Sequence, residues 1–381
     1  MADGNAPLIV RAWSGSYPYD DPYPPPEDPP PPERTPETEP VDPPNEPPRD
    51  PERGDAHRGV GTGSGLACGR FMPLHTGHEH YIHFAREWVH DLTVILFSYP
   101  GDPIPGELRE QWLHETFPSV KVLHATVAPP AREARDFWLQ WAKILQRLLP
   151  SPPDFLFTGD IRAAHIAKHL GATHVLVDAK REAVPISATR IRERPLAHWR
   201  FLPPAVRPYY VKRVSLLGPE STGKTTLARR LADHFQTTLV PEYARQAAET
   251  RGRLFGARDV ETIARAQIAA EASLSRAANR VLVCDTDARA VRMWSERLFD
   301  RCPPWIVEAA TKRRYDLTLV TAPDVPFVGQ AALDQPEMRR AFHARSVEEA
   351  RATSDRVILV SGSWEDRWAT ARAAVEALLE E

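Results

Sequence analysis

Short apolar runs alternate with longer amphipathic stretches along most of the chain, and this pattern predicts an α/β fold. The first series has apolar runs at 92–97, 120–123, 154–158 and 175–178, with helical spacing at 107–117, 131–149 and 161–170. The second series has apolar runs at 214–217, 238–240, 281–284, 317–320 and 357–360, with a last helix from Trp364. Strands that alternate with helices predict two doubly wound parallel-sheet domains.

The composition of the N-terminal segment separates it from both series. Residues 1–65 contain 13 acidic and 5 basic residues and 17 of the 39 prolines, and they contain few aliphatic residues. Such a segment cannot offset its ordering entropy, so we expect residues 1–64 to be a disordered or partly polyproline tail. The proline runs either bind an SH3-like partner or form a solvated tail. Residues 195–212 hold four prolines and are predicted to be a connector.

Other features of the sequence argue against several protein classes. The N-terminal segment has no signal-peptide pattern, and no run along the chain approaches the ~18 apolar residues that span a bilayer. Three scattered cysteines without C-x-x-C spacing argue against a disulfide framework or a zinc site. The acidic N-terminal end, without a helical pattern, argues against direct DNA binding. We expect a cytoplasmic protein without membrane contact. The sequence does not fix the oligomeric state, and a homo-oligomer is possible.

Residues 218–225 read G-P-E-S-T-G-K-T, a complete phosphate loop that directly follows the apolar run at 214–217. In such a loop, backbone N–H groups surround phosphate oxygens, the lysine neutralises charge and a threonine hydroxyl ligates Mg²⁺. The helical spacing that follows places the phosphates at a helix N-terminus. The sequence therefore predicts an ATP–Mg²⁺ site. Its predicted residues are Gly218, Glu220, Ser221, Thr222, Gly223, Lys224, Thr225 and Thr226.

A second candidate site lies upstream, in the segment G-R-F-M-P-L-H-T-G-H at 69–78. His75 and His78 stand where a strand turns into a helix, and Gly77 allows the backbone to approach a ligand closely. A histidine pair alone is either structural or catalytic. The segment I-S-A-T-R-I-R at 186–192 supplies hydroxyls and a guanidinium at a helix N-terminus, which suit triphosphate oxygens. Together the two segments predict a second nucleotide site.

Both motifs occur in the nucleotidyltransferases that carry H-x-G-H and I-S-x-T-x-x-R. More narrowly, residues 65–380 resemble the bifunctional NadR-type family, in which nicotinamide mononucleotide adenylyltransferase is fused to nicotinamide riboside kinase. The resemblance extends to the linker R-P-Y-Y-V-K at 207–212, to P-E-Y-A-R at 241–245 and to C-D-T-D at 284–287. It implies a Rossmann-like nucleotidyltransferase domain at 65–194 and a P-loop kinase domain at 213–381.

For the first domain, the resemblance implies in-line attack by the mononucleotide phosphate on the α-phosphorus of ATP, with release of pyrophosphate. Positioning and charge stabilisation would then supply the catalysis. The residues assigned to ATP and the reacting phosphates are His75, His78, Arg192, Gly69, Arg70, Phe71, Gly77, Ser187 and Thr189. Trp138 and Trp141 either stack on nicotinamide or pack in a core. Asp178 and Arg181 either bracket the mononucleotide or form an ion pair.

For the second domain, the resemblance implies phosphorylation of nicotinamide riboside. Asp285 ends the strand at 281–284 and fits a metal ligand beside Thr225. Asp287 follows two residues later, and we expect both carboxylates to face one cleft, so either could be the base for the ribose hydroxyl. Glu242, Tyr243 and Arg245 are the predicted nucleoside-binding residues. Glu242 and Arg245 could instead form a surface ion pair.

One departure from the family leaves alternatives open. After P-D-V-P at 323–326, this chain lacks the Asp-Gly pair expected there, and it reads F-V-G-Q-A-A-L-D instead. The kinase domain could therefore take another nucleoside, or the chain could be an ATP- and NAD-sensing regulator with weak turnover. Arg339, Arg340 and Arg345 either form a lid over the γ-phosphate or a solvated face.

Overall fold

The computed structural model describes residues 61–127, 129–131, 133–251, 256–327 and 336–380. The chain divides into two compact units between Val206 and Arg207, a point that lies inside the predicted connector. Of the tail predicted at 1–64, residues 1–60 lie outside the described residues, and Ser64 belongs to the first strand of the sheet. Most of the segment that lacks Asp-Gly also lies outside the described residues.

The first unit contains one parallel five-stranded sheet with the strand order β3-β2-β1-β4-β5. Its strands are β1 Ser64–Gly69, β2 Asp91–Ser98, β3 Lys121–Thr126, β4 Phe155–Thr158 and β5 Thr173–Leu176. Its helices are α1 Thr76–Trp88, α2 Gly106–Thr116, α3 Phe137–Leu148, α4 Ala164–Leu170 and α5 Ala188–Glu193. The strand order reverses between β1 and β4, and in open α/β sheets ligands bind at such a switch point, beyond the carboxyl ends of the strands.

Apolar side chains cover both faces of this sheet, which explains why its strands are continuous apolar runs rather than alternating ones. Leu66 and Ile95 pack with Leu145 of α3 on one face. On the other face, Phe157 packs with Ala85 of α1. The loops after β1 and β5 are thus held by a rigid, doubly covered sheet.

The second unit also contains a parallel five-stranded sheet, with the order β10-β9-β6-β8-β7. Its strands are β6 Lys212–Leu217, β7 Leu239–Val240, β8 Val281–Asp285, β9 Tyr315–Thr321 and β10 Ser354–Val360. Its helices are α6 Arg207–Tyr210, α7 Lys224–His234, α8 Tyr243–Arg251, α9 Val260–Leu274, α10 Ala288–Phe299, α11 Pro304–Lys312, α12 Pro336–Thr353 and α13 Trp364–Leu379. Leu216 packs with Leu231 of α7 on one face, and Val320 packs with Met293 of α10 on the other.

The predicted fold class, two doubly wound α/β units, is confirmed. Two predicted helices start later than expected. Helix α3 begins at Phe137 rather than 131, because Ala134 and Phe137 donate to carbonyls three residues back and form separate turns. The helix predicted at 161–170 begins with a 3₁₀ turn at Ile161–Ala163, which the Asp160 side chain caps.

Candidate functional sites

The two histidines of the upstream motif lie side by side at the start of α1, directly beyond the carboxyl end of β1. Their rings stack with centroids 3.7 Å apart and an interplanar angle of 24°. His75 is the N-cap of α1, and its Nδ1 accepts the N–H of Gly77 at 3.1 Å. A neutral ring that accepts at Nδ1 carries its proton on Nε2, so His75 offers one N–H donor.

Burial keeps both imidazoles neutral. It lowers the pKa of His75 to about 4, and the nearby Arg181 guanidinium acts in the same direction. The pKa of His78 is lowered well below its usual range by burial, by His75 and by Arg181. Within the described part of the chain, the buried Nδ1 of His78 has no hydrogen-bond partner. The pair therefore presents neutral, partly unsatisfied nitrogens, which suit phosphate oxygens.

Gly77 is required by the close approach of the His75 ring. A Cβ atom on Gly77 would lie 2.9 Å from Cε1 of His75 and 3.0 Å from its Nδ1. Phe71 contacts the other histidine, with its ring centroid 5.0 Å from that of His78 in an edge-on arrangement. Its side chain is buried, so of the two residues predicted for the nucleotide face, Arg70 and Phe71, Arg70 is the one with an accessible side chain.

The second motif of this site meets the first, as the sequence predicts. Arg192 donates through Nη1 to the carbonyl of Met72 and through Nη2 to Thr189 Oγ1 at 3.3 Å. Ser187 caps α5 by accepting the Arg190 N–H at 3.4 Å. The guanidinium of Arg192 thus links the loop after β1 to the start of α5.

Arg109, which was not predicted as a site residue, holds the same loop through its guanidinium. Its fully buried guanidinium donates to the carbonyls of Arg70 (2.5 Å) and Phe97 (3.1 Å) and to Asp102 Oδ2 at 2.7 Å. The other oxygen of Asp102 pairs with Arg70, whose guanidinium also lies 4.7 Å from the centroid of the Tyr99 ring. Arg70 is therefore a held, half-exposed cation at the edge of the site. The one sequence signal that could have identified Arg109 is its place on the buried, otherwise apolar face of α2.

The candidate mononucleotide residues occupy different environments. Trp141 packs against Phe97 in the core, with ring centroids 5.0 Å apart, which favours core packing for this residue. Trp138 stacks on His165 at 6.0 Å and is only partly buried. The carboxylate of Asp178 accepts backbone N–H groups of the loop at 182–184, which lower its pKa. Asp178 therefore shapes this loop, and the charge of Arg181 acts on the histidine pair.

The phosphate loop of the second unit joins β6 to α7, as predicted. Gly218 (φ +136°) and Gly223 (φ +79°) have positive φ, where other residues would be strained. A Cβ atom on Gly218 would also lie 2.4 Å from Thr321 Oγ1. Thr222 is buried and bonds Thr321 Oγ1 at 2.6 Å and the Pro219 carbonyl at 2.8 Å, so its hydroxyl shapes the loop rather than facing a ligand. Of the remaining predicted residues, Ser221 has φ +57°, and Glu220, Thr225 and Thr226 are partly buried.

Lys224 Nζ donates to the carbonyl of Pro219 at 2.7 Å and lies in the field of two carboxylates. Burial lowers its pKa, whereas Glu242 and Asp285 act to raise it. Burial also raises the pKa of Glu242 to about 7, and Asp285 adds to this effect. Glu242 pairs with the half-exposed Arg245 at 3.3 Å. The loop lysine and two acids therefore form one electrostatic group.

Asp285 has the free coordination capacity that a metal ligand needs. In the described part of the chain, its buried Oδ1 has no hydrogen-bond partner. A buried unpaired carboxylate oxygen is costly unless a cation neutralises it. Mg²⁺ commonly uses one or two carboxylates together with phosphate and water oxygens. Asp285 and the Thr225 hydroxyl therefore fit Mg²⁺ held with a triphosphate.

Asp287 does not share this cleft, which corrects the expectation that both carboxylates face it. It is fully buried, it caps α10, and Arg289 donates to it from Nη2 at 2.6 Å and from Nε at 3.0 Å. Ser215 donates a further hydrogen bond. Burial opposes ionisation of Asp287, but Arg289 lowers its pKa overall. This carboxylate is thus occupied by a structural ion pair and has no free oxygen to act as a base.

Gln267, which was also not predicted from the sequence, connects the segment around Glu242 with the turn after Asp285. Its Oε1 accepts the N–H of Tyr243 at 2.9 Å, and its Nε2 donates to the carbonyls of Pro241 (3.3 Å) and Thr286 (3.5 Å). Gln267 thereby holds the segment that carries Glu242 against the turn that carries Asp285. A glutamine in an amphipathic helix gives no sequence signal for this role.

Two of the three α12 arginines predicted as a possible lid contact other groups of the unit. Arg345 pairs with Glu296 and lies 3.9 Å from Glu349. Arg339 donates to the Val325 carbonyl at 3.4 Å. Arg340 is exposed. A lid role is therefore not favoured for Arg345.

No helix within the described ranges has the length and apolarity needed to cross a membrane.

These features define a class: the chain combines a Rossmann-like nucleotidyltransferase unit with a P-loop kinase-like unit. A family model described as an AAA domain matches residues 213–367. The trifunctional NAD biosynthesis/regulator protein NadR of Escherichia coli (strain K12) is 30% identical over 310 residues, which cover 74% of this chain and 75% of that protein. The protein of the same name from Salmonella typhimurium is 28% identical over 311 residues, with the same coverage. The chain belongs to the NadR family.

Two solved structures extend this similarity to three dimensions. A crystal structure of NadR in complex with NR has a TM-score of 0.69 and 25% identity, and the match covers 85% of this chain and 98% of that one. A NadR structure in complex with NAD and AMP-PNP has the same TM-score and identity and covers 84% and 97% of the two chains.

Proposed function

We propose that this chain is a two-step NAD salvage enzyme. The second unit transfers the γ-phosphoryl group of ATP to the 5′-hydroxyl of nicotinamide riboside, giving the mononucleotide and ADP. The first unit then joins the mononucleotide phosphate to the α-phosphorus of a second ATP, giving NAD and pyrophosphate. The observation that carries the proposal is that each unit assembles its own nucleotide loop, in a chain of the NadR family.

In the first unit, His75, His78 and Arg192 supply donors for the phosphates of ATP. The neutral imidazoles and the guanidinium stabilise charge that develops as pyrophosphate leaves, and no covalent intermediate is required. Arg70, held by Asp102, contributes a further positive charge. Ser187 and Thr189 lie with Arg192 and complete the proposed triphosphate contacts.

In the second unit, Lys224 and the loop N–H groups bind the phosphates of ATP. Thr225 and Asp285 would hold Mg²⁺, which neutralises phosphate charge when bound. Glu242 is the proposed base that takes the proton of the ribose hydroxyl, because its pKa near 7 lets it accept a proton at neutral pH. Glu242 thus replaces Asp287 in this role. Tyr243 and Arg245 remain proposed nucleoside-binding residues.

The test is product analysis with the full-length protein, Mg-ATP and nicotinamide riboside. We expect the mononucleotide to appear first, followed by NAD and pyrophosphate. In the Lys224→Ala variant, supplied mononucleotide should still be converted to NAD, and in the His78→Ala variant the mononucleotide should accumulate. If neither product forms from the wild-type protein, the proposal is wrong.

A second candidate keeps the transferase and changes the kinase substrate. It is favoured by the missing Asp-Gly after Pro326, a departure that removes a group able to hold the ribose or the base. A lost hydrogen-bonding partner costs about 1–3 kcal/mol of selectivity. Comparing nicotinamide riboside with uridine, cytidine and thymidine at equal concentration separates the two candidates, and exclusive use of a pyrimidine nucleoside would establish the second.

A further inference from the structure

Arg367, near the start of α13, is a buried arginine that contacts the phosphate loop from behind. Its side chain is almost fully buried. Its Nε donates to the Gly362 carbonyl at 3.0 Å, and its Nη1 donates to the Thr222 carbonyl at 3.3 Å. Its Nη2 donates to the Ala322 carbonyl at 3.1 Å. One guanidinium therefore joins the phosphate loop, the end of β9 and the turn before α13.

Asp324 braces this guanidinium. One carboxylate oxygen pairs with Nη2 of Arg367, and the other accepts the N–H of Gly362 at 2.7 Å. Gly362 has φ +88°, a left-handed conformation that favours glycine, so the turn before α13 depends on this residue. Asp324 belongs to the P-D-V-P segment, for which the proposed kinase chemistry gives no role. The pairing supplies one, because it fixes Arg367 behind the loop.

The hydrogen bond to Thr222 determines how the next N–H is oriented. In a trans peptide unit the carbonyl and the following N–H point in opposite directions. Because Arg367 holds the Thr222 carbonyl on its own side, the N–H of Gly223 points away from Arg367. In phosphate loops, backbone N–H groups of this kind bind phosphate oxygens.

The same turn of α13 also fixes Gly223 by packing. A Cβ atom on Gly223 would lie 2.5 Å from Cζ3 of Trp364, so the indole lies directly against this glycine. Consecutive residues of the loop are thus restrained from one side, Thr222 by a charge-assisted hydrogen bond and Gly223 by an aromatic ring. This restraint would keep the peptide unit oriented before ATP arrives.

We propose that Arg367, braced by Asp324, is a positioning residue for ATP in the second unit. It holds the Thr222–Gly223 peptide so that the Gly223 N–H meets a phosphate oxygen, and it does not itself touch the nucleotide. The inference rests on the proposed kinase function only in that the second unit binds ATP.

The test compares Arg367→Lys and Asp324→Asn with matched surface controls. Lysine cannot make the three separate contacts of the guanidinium, and asparagine loses the charge that braces it. Arg372→Lys changes an exposed arginine of α13 that pairs with Glu376, and Asp355→Asn changes an exposed acid that pairs with Arg314. Titration calorimetry measures the affinity of each protein for ATP. The same titration of the Lys224→Ala variant measures the ATP binding that is due to the first unit.

We expect Arg367→Lys and Asp324→Asn each to weaken ATP binding by the second unit about tenfold, as for loss of one charge-assisted hydrogen bond. The KM for ATP should rise by a similar factor, while the KM for the nucleoside changes less than about twofold. Both controls should match the wild type. The double variant should be little worse than either single one, because both act on one contact.

Three results would overturn the proposal. The first is ATP affinity within twofold of the wild type in a folded Arg367→Lys protein. The second is a similar impairment of kcat and of the KM values for both substrates, together with a lowered unfolding temperature. That result would show a purely structural role. The third is strict additivity in the double variant. Because calorimetry needs no acceptor, ATP binding without riboside phosphorylation would contradict the proposed kinase function and leave this test valid.

Discussion

The two nucleotide loops occupy equivalent positions in their sheets and differ in their electrostatics. In each unit the loop connects the strand at the switch of strand order to the helix that follows it, β1 to α1 and β6 to α7. The first loop presents His75 and His78, which burial holds neutral. The second presents Lys224 in a group with two carboxylates, Glu242 and Asp285. The same strand-to-helix position in the two sheets thus serves two ways of stabilising phosphate charge.

The difference follows from the proposed reactions. Adenylyl transfer uses a phosphate nucleophile that needs no base at neutral pH, so donors for the triphosphate are sufficient. Phosphorylation of a hydroxyl releases a proton, and a carboxylate with a raised pKa can accept it. The comparison therefore predicts that changes in one loop leave the other reaction intact and that only one reaction depends on pH near 7.

The largest expected effect is that of Lys224→Ala. Removing the loop lysine should lower the kinase kcat/KM by about three decades, because the charge on the transferred phosphoryl group loses its main protein cation. Conversion of supplied mononucleotide to NAD should remain within twofold of the wild type. Coupled assays for ADP and for NAD measure the two reactions separately. Loss of both activities in a folded variant would show that the units are not independent.

His78→Ala is the reciprocal change. Adenylyl transfer should fall by two to three decades, on the order of 3–4 kcal/mol of transition-state stabilisation, as for removal of one preorganised donor. The kinase reaction should be unchanged. His114→Ala, which removes an exposed histidine that lies 3.9 Å from Glu110 on α2, is the matched control. Adenylyl transfer at the wild-type rate in His78→Ala would remove the basis of the first site.

The loops themselves could be predicted from the sequence, because their chemistry lies in consecutive residues. The strands could be predicted for a similar reason, since a strand buried on both faces is a continuous apolar run. The supporting residues could not be. Arg367 contacts Thr222 across 145 positions of the chain, and Arg109 contacts Arg70 across 39. No local pattern records such a contact, and a buried arginine violates the usual apolar periodicity.

Asp285 and Asp287 show the same limit at short range. They stand two residues apart, and the sequence alone does not decide which of them is the base. The structure distinguishes their roles, because the buried Arg289 of α10 forms an ion pair with Asp287. The pairing is completed by Ser215 on β6, and Thr318 of β9 accepts from Arg289 at 3.1 Å. Their different roles follow from tertiary neighbours.

This separation predicts different consequences for two matched substitutions. Asp287→Asn should lower the free energy of unfolding by about 3–5 kcal/mol, because it leaves the Arg289 charge buried without its partner. Asp285→Asn should leave the unfolding free energy unchanged or raised, since it removes a buried carboxylate with an unpaired oxygen, while the kinase rate falls by at least about a hundredfold. Urea unfolding and kinase assays of both proteins measure these effects. Equal stability of the two variants would contradict the assignment.

The smallest expected effect is the pH dependence that distinguishes the two reactions. With the pKa of Glu242 at about 7, the fraction of ionised base should rise about fourfold between pH 6.5 and 8, and the kinase kcat/KM should rise with it. Adenylyl transfer should be nearly constant over the same range, because the pKa of His75 is about 4 and that of His78 is also lowered, so both rings stay neutral. The second phosphate pKa of the mononucleotide, about 6, lies below this range.

Glu242→Gln is the control for that profile. Glutamine keeps the shape of the side chain and cannot accept the proton, so the residual kinase rate should be low and should no longer rise between pH 6.5 and 8. Arg245→Lys should retain the rise, because it preserves a positive charge beside Glu242, and should shift its midpoint only slightly. A kinase profile that stays flat in the wild type, or one that keeps its rise in Glu242→Gln, would assign the proton to another group and remove the contrast between the two loops.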